Sequence, residues 1–340
     1  MRYFFTCTLL FLLYSKLLAQ TAQPHAFDFL NFSPSARITA LGGIQAVSGR
    51  DSSIISPSLW FTNPAVSEPA FDRQLSLGYQ PYYADVDYVT LTYNHSIGEQ
   101  GAWGLGVQYL NYGEFDSYDI AGLPTGTYHA QEYAIYFNRS HQSGPFRFGV
   151  NAKFLSSNFG AYGASALLLD AGGMFIHPNY GFTIGLAINN LGFLLNDYTS
   201  MSQSRMPTDL KISLAIKPEY MPFRFYLTGF HLINHYGDYY SQDNNEKPGY
   251  VNRILRHMSF GGELLLSKNF HIQAGYNQLK RNTLQLEQFT GGAGLSFGFT
   301  LRLRFLQLEY ARAFYHVAGG FNHFTLNMNL NRLNFKKTST

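Results

Sequence analysis

The sequence predicts an all-β protein: a transmembrane antiparallel β-barrel of about fourteen strands, with an N-terminal plug. Three observations lead there. Apolar and polar residues alternate in many short stretches. In PFRFGVNAKF at 145–154, Phe146, Phe148, Val150 and Phe154 are interleaved with Arg147, Asn151 and Lys153. Such period-2 alternation marks a strand with one apolar and one polar face. Next, only 13% of the residues are charged and 17% are aromatic, with 25 Tyr and 30 Phe, whereas ordinary soluble domains carry about 25% charge. A soluble, secreted β-protein this poor in charge is prone to associate; a wall that faces lipid needs no charge. Finally, beyond the first twenty residues no apolar run reaches the ~20 residues a helix needs to cross a bilayer. A bilayer admits only helices and closed barrels, because every backbone polar group must find a partner.

Residues 1–20, MRYFFTCTLLFLLYSKLLAQ, read as a signal peptide: Arg2, an apolar core over Phe4–Tyr14, and a cleavage site at Leu17-Leu18-Ala19 before Gln20. Lys16 interrupts the run, which argues against a membrane-spanning helix. The single cysteine, Cys7, lies inside this core, so neither a lipid anchor nor thiol chemistry is expected in the mature chain. The formal charge of +3 falls to about +1 once Arg2 and Lys16 leave with the leader. Without a clustered basic face, nucleic acid is not an expected partner.

Residues 21–73 do not alternate. They are too few for a second domain with a sizeable core. A periplasmic arm and a plug inside the barrel are the two readings. The apolar side chains Phe27, Phe29, Leu30, Phe32, Ile38, Leu41, Trp60 and Phe61 favour burial, and a fourteen-stranded barrel is wide enough to need filling or to conduct. The plug is therefore preferred.

The barrel is assigned to residues 74–335. Alternation places strands near 74–80, 87–96, 102–110, 129–139, 145–155, 164–175 and 181–189. The series continues at 209–216, 223–232, 256–267, 269–278, 290–298, 304–314 and 322–333. Ten residues at about 3.3 Å each and a ~40° tilt rise ~25 Å, the height of an outer-membrane apolar band. Turns after even-numbered strands are short (SIGEQG, HQSG, HPNY, KPEYMP, SKN and about FTLRLR). Several after odd-numbered strands are long, including NYGEFDSYDIAGLPTGTYH, NLGFLLNDYTSMSQSRMP and INHYGDYYSQDNNEKPGYVNR. Short periplasmic turns opposite long external loops are the usual arrangement of such barrels.

The same rule sorts the other strands. In FHIQAGYN, Phe270, Ile272 and Tyr276 point outward, and His271 and Gln273 inward. In HFTLNMNLN, Phe324, Leu326, Met328 and Leu330 oppose Thr325, Asn327, Asn329 and Asn331. Arg147, Lys153, Arg224, Glu263 and His271 are the candidate lumen-facing residues, either paired in a hydrated lumen or lining a polar path. Arg37 is expected to pair with a wall carboxylate such as Glu263.

No catalytic constellation, cofactor motif or metal-ligand spacing emerges, so the protein reads as a non-enzyme without a cofactor. The eleven histidines are scattered singly, and GGAGLSFG at 291–298 sits in a strand pattern and opens no helix. The loop at 233–255 carries Tyr236, Asp238, Tyr239, Tyr240, Asp243, Asn244 and Glu246, a composition suited to binding a protein and equally to a solvated loop. Residues 336–340 form a polar tail.

SPSARITALGG at 33–43, followed by NPA at 63–65, resembles the amino-terminal signature of outer-membrane proteins related to the FadL fatty-acid channels. More closely it is similar to the PorV and PorQ proteins of the Bacteroidota type IX secretion system. INNLG at 188–192, GGELLL at 261–266, QAGYN at 273–277, LEYARAF at 308–314 and HFTL at 323–326 extend the likeness over nearly the whole mature chain. The resemblance implies a fourteen-stranded outer-membrane barrel in which Ser35, Ala36, Arg37, Gly42, Gly43, Asn63, Pro64 and Ala65 form the plug motif. It also implies a docking role in the cell-surface attachment complex, with PorU-, PorV- and PorZ-like partners and outer-membrane lipid around the wall. Two departures are visible: a tail follows Phe335, and Val66 follows NPA where FadL channels carry glycine. The rival reading is a FadL-like transporter of hydrophobic small molecules, which requires an apolar pocket between plug and wall.

Overall fold

Each alternating stretch contributes a strand, and the strands close into one ring. The computed structural model describes residues 26–49, 56–99, 101–202, 204–233, 250–284, 292–316 and 319–332. The leader at 1–20, the loop residues Tyr236 to Glu246 and the tail at 336–340 lie outside the described residues. Seven strands form one half of the ring: β1 (Gln74–Pro81), β2 (Asp87–Ile97), β3 (Gly101–Tyr118), β4 (Pro124–Ser143), β5 (Phe146–Phe159), β6 (Tyr162–Ile176) and β7 (Phe182–Asn196). The other half is β8 (Asp209–Ile216), β9 (Phe223–Gly229), β10 (Met258–Leu265), β11 (Phe270–Asn277), β12 (Leu295–Arg302), β13 (Leu306–His316) and β14 (Gly319–Asn329). Each pairs antiparallel with its sequence neighbours, and β1 closes on β14 from Gln74↔Asn329 to Tyr79↔Phe324. Closure gives every strand a partner on both sides over at least part of its length.

Alternation sorts the faces of β5 cleanly. Phe148 and Val150 are 56% and 54% exposed on the outside, while Arg147, Asn151 and Lys153 are buried inside. Phe146 meets Phe175 at 5.3 Å on the outer surface, and Phe270 meets Phe299 at 6.1 Å.

Several strand boundaries differ from the sequence reading. NYGEFDSYDIAGLPTGTYH is mostly strand: β3 runs to Tyr118 and β4 starts at Pro124, paired from Glu114↔His129 to Tyr118↔Pro124. The neighbouring strands stop lower, at Asp87↔Asn111 and Ala130↔Phe159. This ribbon stands clear of the ring, so both its faces meet solvent and no apolar alternation marks it. β7 likewise continues through FLLN to Asn196. β12 begins at Leu295, after Gly294 at φ 85°, and takes in FTLR, because Phe297, Phe299 and Leu301 continue the outward face. A short helix over Tyr250–Arg256 holds the residues just before β10, and His231 at φ 53° ends the run after β9.

The ring is lopsided. β3 to β7 are long and β8 to β12 short. At one rim the connections are brief, as between Ser143 and Phe146 or Arg302 and Leu306; the other rim carries the long ones, such as Asn196 to Asp209. β1 begins and β14 ends at the short-turn rim.

The N-terminal segment lies within the ring, since its residues bond to inward-facing side chains on opposite walls. Helix α1 (Ala36–Ala40) has Ser35 as its N-cap, with the Ser35 hydroxyl accepting from Ile38 N–H. It ends at Gly42 and Gly43, whose φ of 98° and 83° other residues adopt with strain. Short 3-10 turns follow at Pro57–Phe61, Pro64–Val66 and Pro69–Phe71. Asn63 caps the second by accepting from Ala65 N–H at 3.0 Å, with Pro64 at the first position. Two further helices, α2 (Tyr250–Arg256) and α3 (Gln278–Leu284), sit at the long-loop rim.

Candidate functional site

The lumen holds three arrangements, stacked from the short-turn half to the long-loop half. The first is built around Glu263 on β10, which is 1% exposed. Register places Arg224 of β9 opposite it on one side and Gln273 of β11 on the other. Arg37 of α1 reaches it edge-on, Nε to Oε1 at 3.2 Å and Nη2 to Oε2 at 3.0 Å. Arg224 Nη1 donates to Oε2 at 3.0 Å, Tyr226 Oη at 3.1 Å and Gln273 Nε2 to Oε1 at 3.1 Å. His271 Nδ1 lies 3.2 Å from Oε1. Arg37 Nη2 also donates to Tyr226 Oη at 2.8 Å, and its backbone N–H to Glu309 Oε2 at 3.1 Å. A carboxylate buried among this many donors is stabilised by them and very costly to leave alone. The arrangement ties α1 to three strands. Thr325 accepts from Ala36 N–H, and Thr39 Oγ1 meets His323 Nδ1 at 2.9 Å.

The second arrangement surrounds Asp170 on β6. Lys153 Nζ is 2.6 Å from Asp170 Oδ1 and donates to Asn190 Oδ1 at 2.5 Å. Asn151 and the Asn190 N–H donate to the same carboxylate, each at 2.8 Å. Asn190 stands at φ 62° in a β-bulge, where pairing shifts between Leu169↔Leu191 and Ala171↔Ile188. An extra residue in one strand reverses which side chains face inward: Ala187 and Asn189 are buried before it, and Leu191, Phe193 and Leu195 face outward after it. INNLG is this bulge. Pairing of β7 with β8 stops at Asn189↔Asp209, so Leu191–Asn196 pair with β6 alone. Arg147 belongs to neither cluster. It holds the NPA turn, donating to Val66 O at 3.2 Å and pairing with Glu68 at 2.8 Å.

The third arrangement is apolar and fills the long-loop half. Tyr88, Leu110, Ala134, Tyr136, Leu155 and Leu168 face inward and are buried. Their partners are the chain's own Phe27, Phe29, Trp60 and Phe61. Phe61 and Trp60 lie 4.6 and 6.0 Å from Tyr136, and Phe32 stacks on Tyr82 at 4.9 Å. Glycine makes the niche: a Cβ on Gly106 of β3 would lie 2.7 Å from both the Phe61 and Trp60 rings. Elsewhere on the wall, Gly149 and Gly275 admit Pro64 and Gly42 in the same way.

Of the residues expected inside, Arg37, Arg224, Glu263 and His271 come together, while Lys153 and Arg147 stand apart. Ser35, Gly42, Gly43 and Asn63 shape the N-terminal segment; Ala36 and Ala65 pack without exposure, and the Pro64 carbonyl accepts from Asn138 at 3.2 Å. Sequence reasoning missed Tyr226, Asp170 and Asn190. Period-2 spacing from Arg224 points to Tyr226 on β9, and the separate alternation of β6 puts Asp170 on the inner face with Leu168. The inward apolar side chains gave no signal of their own, because they are single apolar positions on inner faces that also carry polar residues, as Leu155 follows Arg147, Asn151 and Lys153 on β5. At the long-loop rim, burial pulls the ammonium of Lys280 on α3 down to about 7.

No protein-family model and no curated protein matches the chain. Solved structures do. The toluene transporter TodX of Pseudomonas putida superposes with a TM-score of 0.52 at 11% identity, over 90% of this chain and 98% of that one. A second TodX structure gives 0.52 at 13%, over 88% and 99%. A FadL homologue of Pseudomonas aeruginosa gives 0.48 at 11%, over 87% and 98%. The fold is that of a fourteen-stranded outer-membrane barrel of FadL type. At these identities the likeness is one of fold.

Proposed function

We propose that the protein passes small hydrophobic molecules across the outer membrane, with residues 26–73 acting as a plug. The observation that carries this is the apolar chamber of Tyr88, Leu110, Tyr136, Leu155 and Leu168, occupied by Phe27, Phe29, Trp60 and Phe61. A lumen built only to conduct polar solutes has no use for an aromatic chamber, and the buried wall charges already have partners: Glu263 and Arg147 in the plug, Lys153 and Asp170 in each other. The chamber borders the stretch of β7 beyond Asn189 that lacks a partner on its β8 side, a place where an apolar molecule can leave sideways into lipid. Folds similar to this one include that of a toluene transporter.

Trp60 is fully buried in the chamber, and Trp103 is the other tryptophan. In a Trp103→Phe background, adding toluene or a medium-chain fatty acid to the detergent-solubilised barrel should change Trp60 emission saturably. Emission that tracks only the solvent effect seen with free tryptophan counts against the reading.

One observation favours a second reading, a docking role of the kind the PorV/PorQ resemblance implies. The β3–β4 ribbon stands beyond its neighbours with Tyr118, Ile120 and Leu123 exposed. It also carries Glu114, Asp116 and Asp119. Surface-attachment partners co-purifying with the wild-type barrel, and lost on shortening this ribbon, support docking.

A further inference from the structure

The inner faces of β14, β1 and β2 form one polar strip. Register sets Asn329, Gln74 and Asn94 side by side, then Asn327, Ser76 and Thr92, then Thr325, Gly78 and Thr90, with Gln80 opposite Tyr88 beyond. None of these side chains carries a formal charge, and Gln74, Thr92, Asn94 and Asn327 are buried. Several polar atoms on the strip have no partner among the described residues. At the short-turn end these are Gln74 Nε2, both amide atoms of Asn94, Thr92 Oγ1 and the side-chain oxygens of Asn327 and Asn329; at the other end they are Tyr88 Oη and His323 Nε2. Between the two groups lies the N-terminal segment. Thr90 Oγ1 donates to Pro34 O at 2.9 Å, Ala36 N–H donates to Thr325 Oγ1 at 2.9 Å, and a Cβ on Gly78 would stand 3.3 Å from Pro34 O. At the short-turn rim, Gln74, Asn327 and Asn329 border a cavity of about 20 Å³, enough for a water, which needs about 10–15 Å³.

We propose that this strip is a lane of bound water, a second route through the lumen that Pro34–Ala36 close at its waist. A buried amide or hydroxyl left without a partner is costly, and native folds supply one from the protein or from ordered water. Here the unpartnered atoms gather on one wall, in adjacent rows, and reach a cavity at the rim, so water is the partner within reach. Glu309, next round the wall on β13, is already held by Gln307, Asn327 and the Arg37 N–H. The strip's own amides and hydroxyls give an ion no counter-charge. They suit water and small uncharged solutes such as glycerol. The apolar chamber is lined mainly from β3 to β6, with Tyr88 bordering both, so the lane stands whatever the chamber carries.

The test uses the intact barrel in liposomes, with light scattering after an osmotic step. Wild type, its waist closed, should pass water and glycerol little faster than protein-free liposomes. Thr90→Val with Thr325→Val frees Pro34 and Ala36 from the wall. It should raise both rates roughly tenfold, since losing two hydrogen bonds shifts the open population by about that factor. Adding Asn94→Leu, which takes the amide out of the lane, should return both rates towards wild type; a leak through the chamber would not respond. A heat-modifiable gel shift reports that each barrel is folded. If the double variant is not, Thr90→Val is read alone, with a rise of roughly threefold; if Asn94→Leu is not, Gln74→Leu takes its place. No rise, or a rise that the leucine leaves unchanged, overturns the route. Thr92→Val in the otherwise wild-type barrel tests the bound water itself. It should lower the temperature of the gel shift, because a water loses its partner. An equal or higher temperature means that the hydroxyl had none, and overturns the lane.

Discussion

Arg37 of the N-terminal segment and Glu263 of β10 meet through two hydrogen bonds, 3.2 and 3.0 Å, in a site where both side chains are almost wholly buried. A residue that the chain reaches before any strand is thus joined to one 226 positions later. Glu263→Gln should destabilise the folded barrel on the order of 3–5 kcal/mol, because two buried guanidiniums lose their counter-charge. The check is the temperature of the heat-modifiable gel shift. Exchanging the charges, Arg37→Glu with Glu263→Arg, should not restore stability. Arg224 also donates to Glu263 Oε2 at 3.0 Å, so the exchange sets two arginines together.

Glycines on the inner wall where the segment touches should be intolerant. A Cβ on Gly149 would lie 2.3 Å from the Pro64 carbonyl, whereas one on Gly173 meets only Phe148, at 3.9 Å. Overfilling a packed site costs about 1–3 kcal/mol. Gly149→Ala should loosen the segment and raise single-channel conductance in planar bilayers, with Gly173→Ala indistinguishable from wild type.

The Lys153–Asp170 pair anchors the bulge at Asn190. Lys153→Met should cost about 3–5 kcal/mol by leaving the carboxylate short of its cation. Adding Asp170→Asn should recover part of that cost. Unfolding in denaturant, followed by tryptophan emission, compares the single and double variants.

How much of this was legible in the sequence depends on the neighbours of each residue. Strand count and faces were plain wherever one face meets lipid and the other a polar lumen, as in Phe146–Phe154. The β3–β4 ribbon read as a loop because solvent on both faces removes the alternation that lipid imposes. The apolar chamber was invisible for another reason: alternation turns Leu155 and Leu168 inward, but nothing in their own strands says that they meet Phe27, Phe29, Trp60 and Phe61 there. Arg37 and Glu263 could be matched by charge. That Arg224 and Tyr226 complete the same cluster follows only from pairing between β9 and β10. The bulge at Asn190 needed its φ of 62°, which no pattern reveals.

Lys280 gives a dependence on pH. Burial favours its neutral form, with the folded value near 7 against 10.5 for an exposed lysine. Below pH 7 the folded state carries the full desolvation penalty. As pH rises from 7 towards 10.5 the unfolded chain holds the proton more than the folded one, so stability climbs. Lys280→Met should remove that rise. Melting temperatures of both proteins between pH 6 and about 10 make the comparison, and parallel profiles would show that Lys280 does not contribute.

The central claim, that the lumen serves small hydrophobic molecules behind a plug, is tested most directly by uptake into intact Gram-negative cells lacking their own fatty-acid channel. The account predicts that expressing the folded barrel raises uptake of a labelled fatty acid or aromatic hydrocarbon several-fold. It also predicts that Trp60→Ala, which empties part of the chamber, changes that rate. Uptake equal to that of cells without the barrel, with the protein folded in their outer membrane, would contradict it.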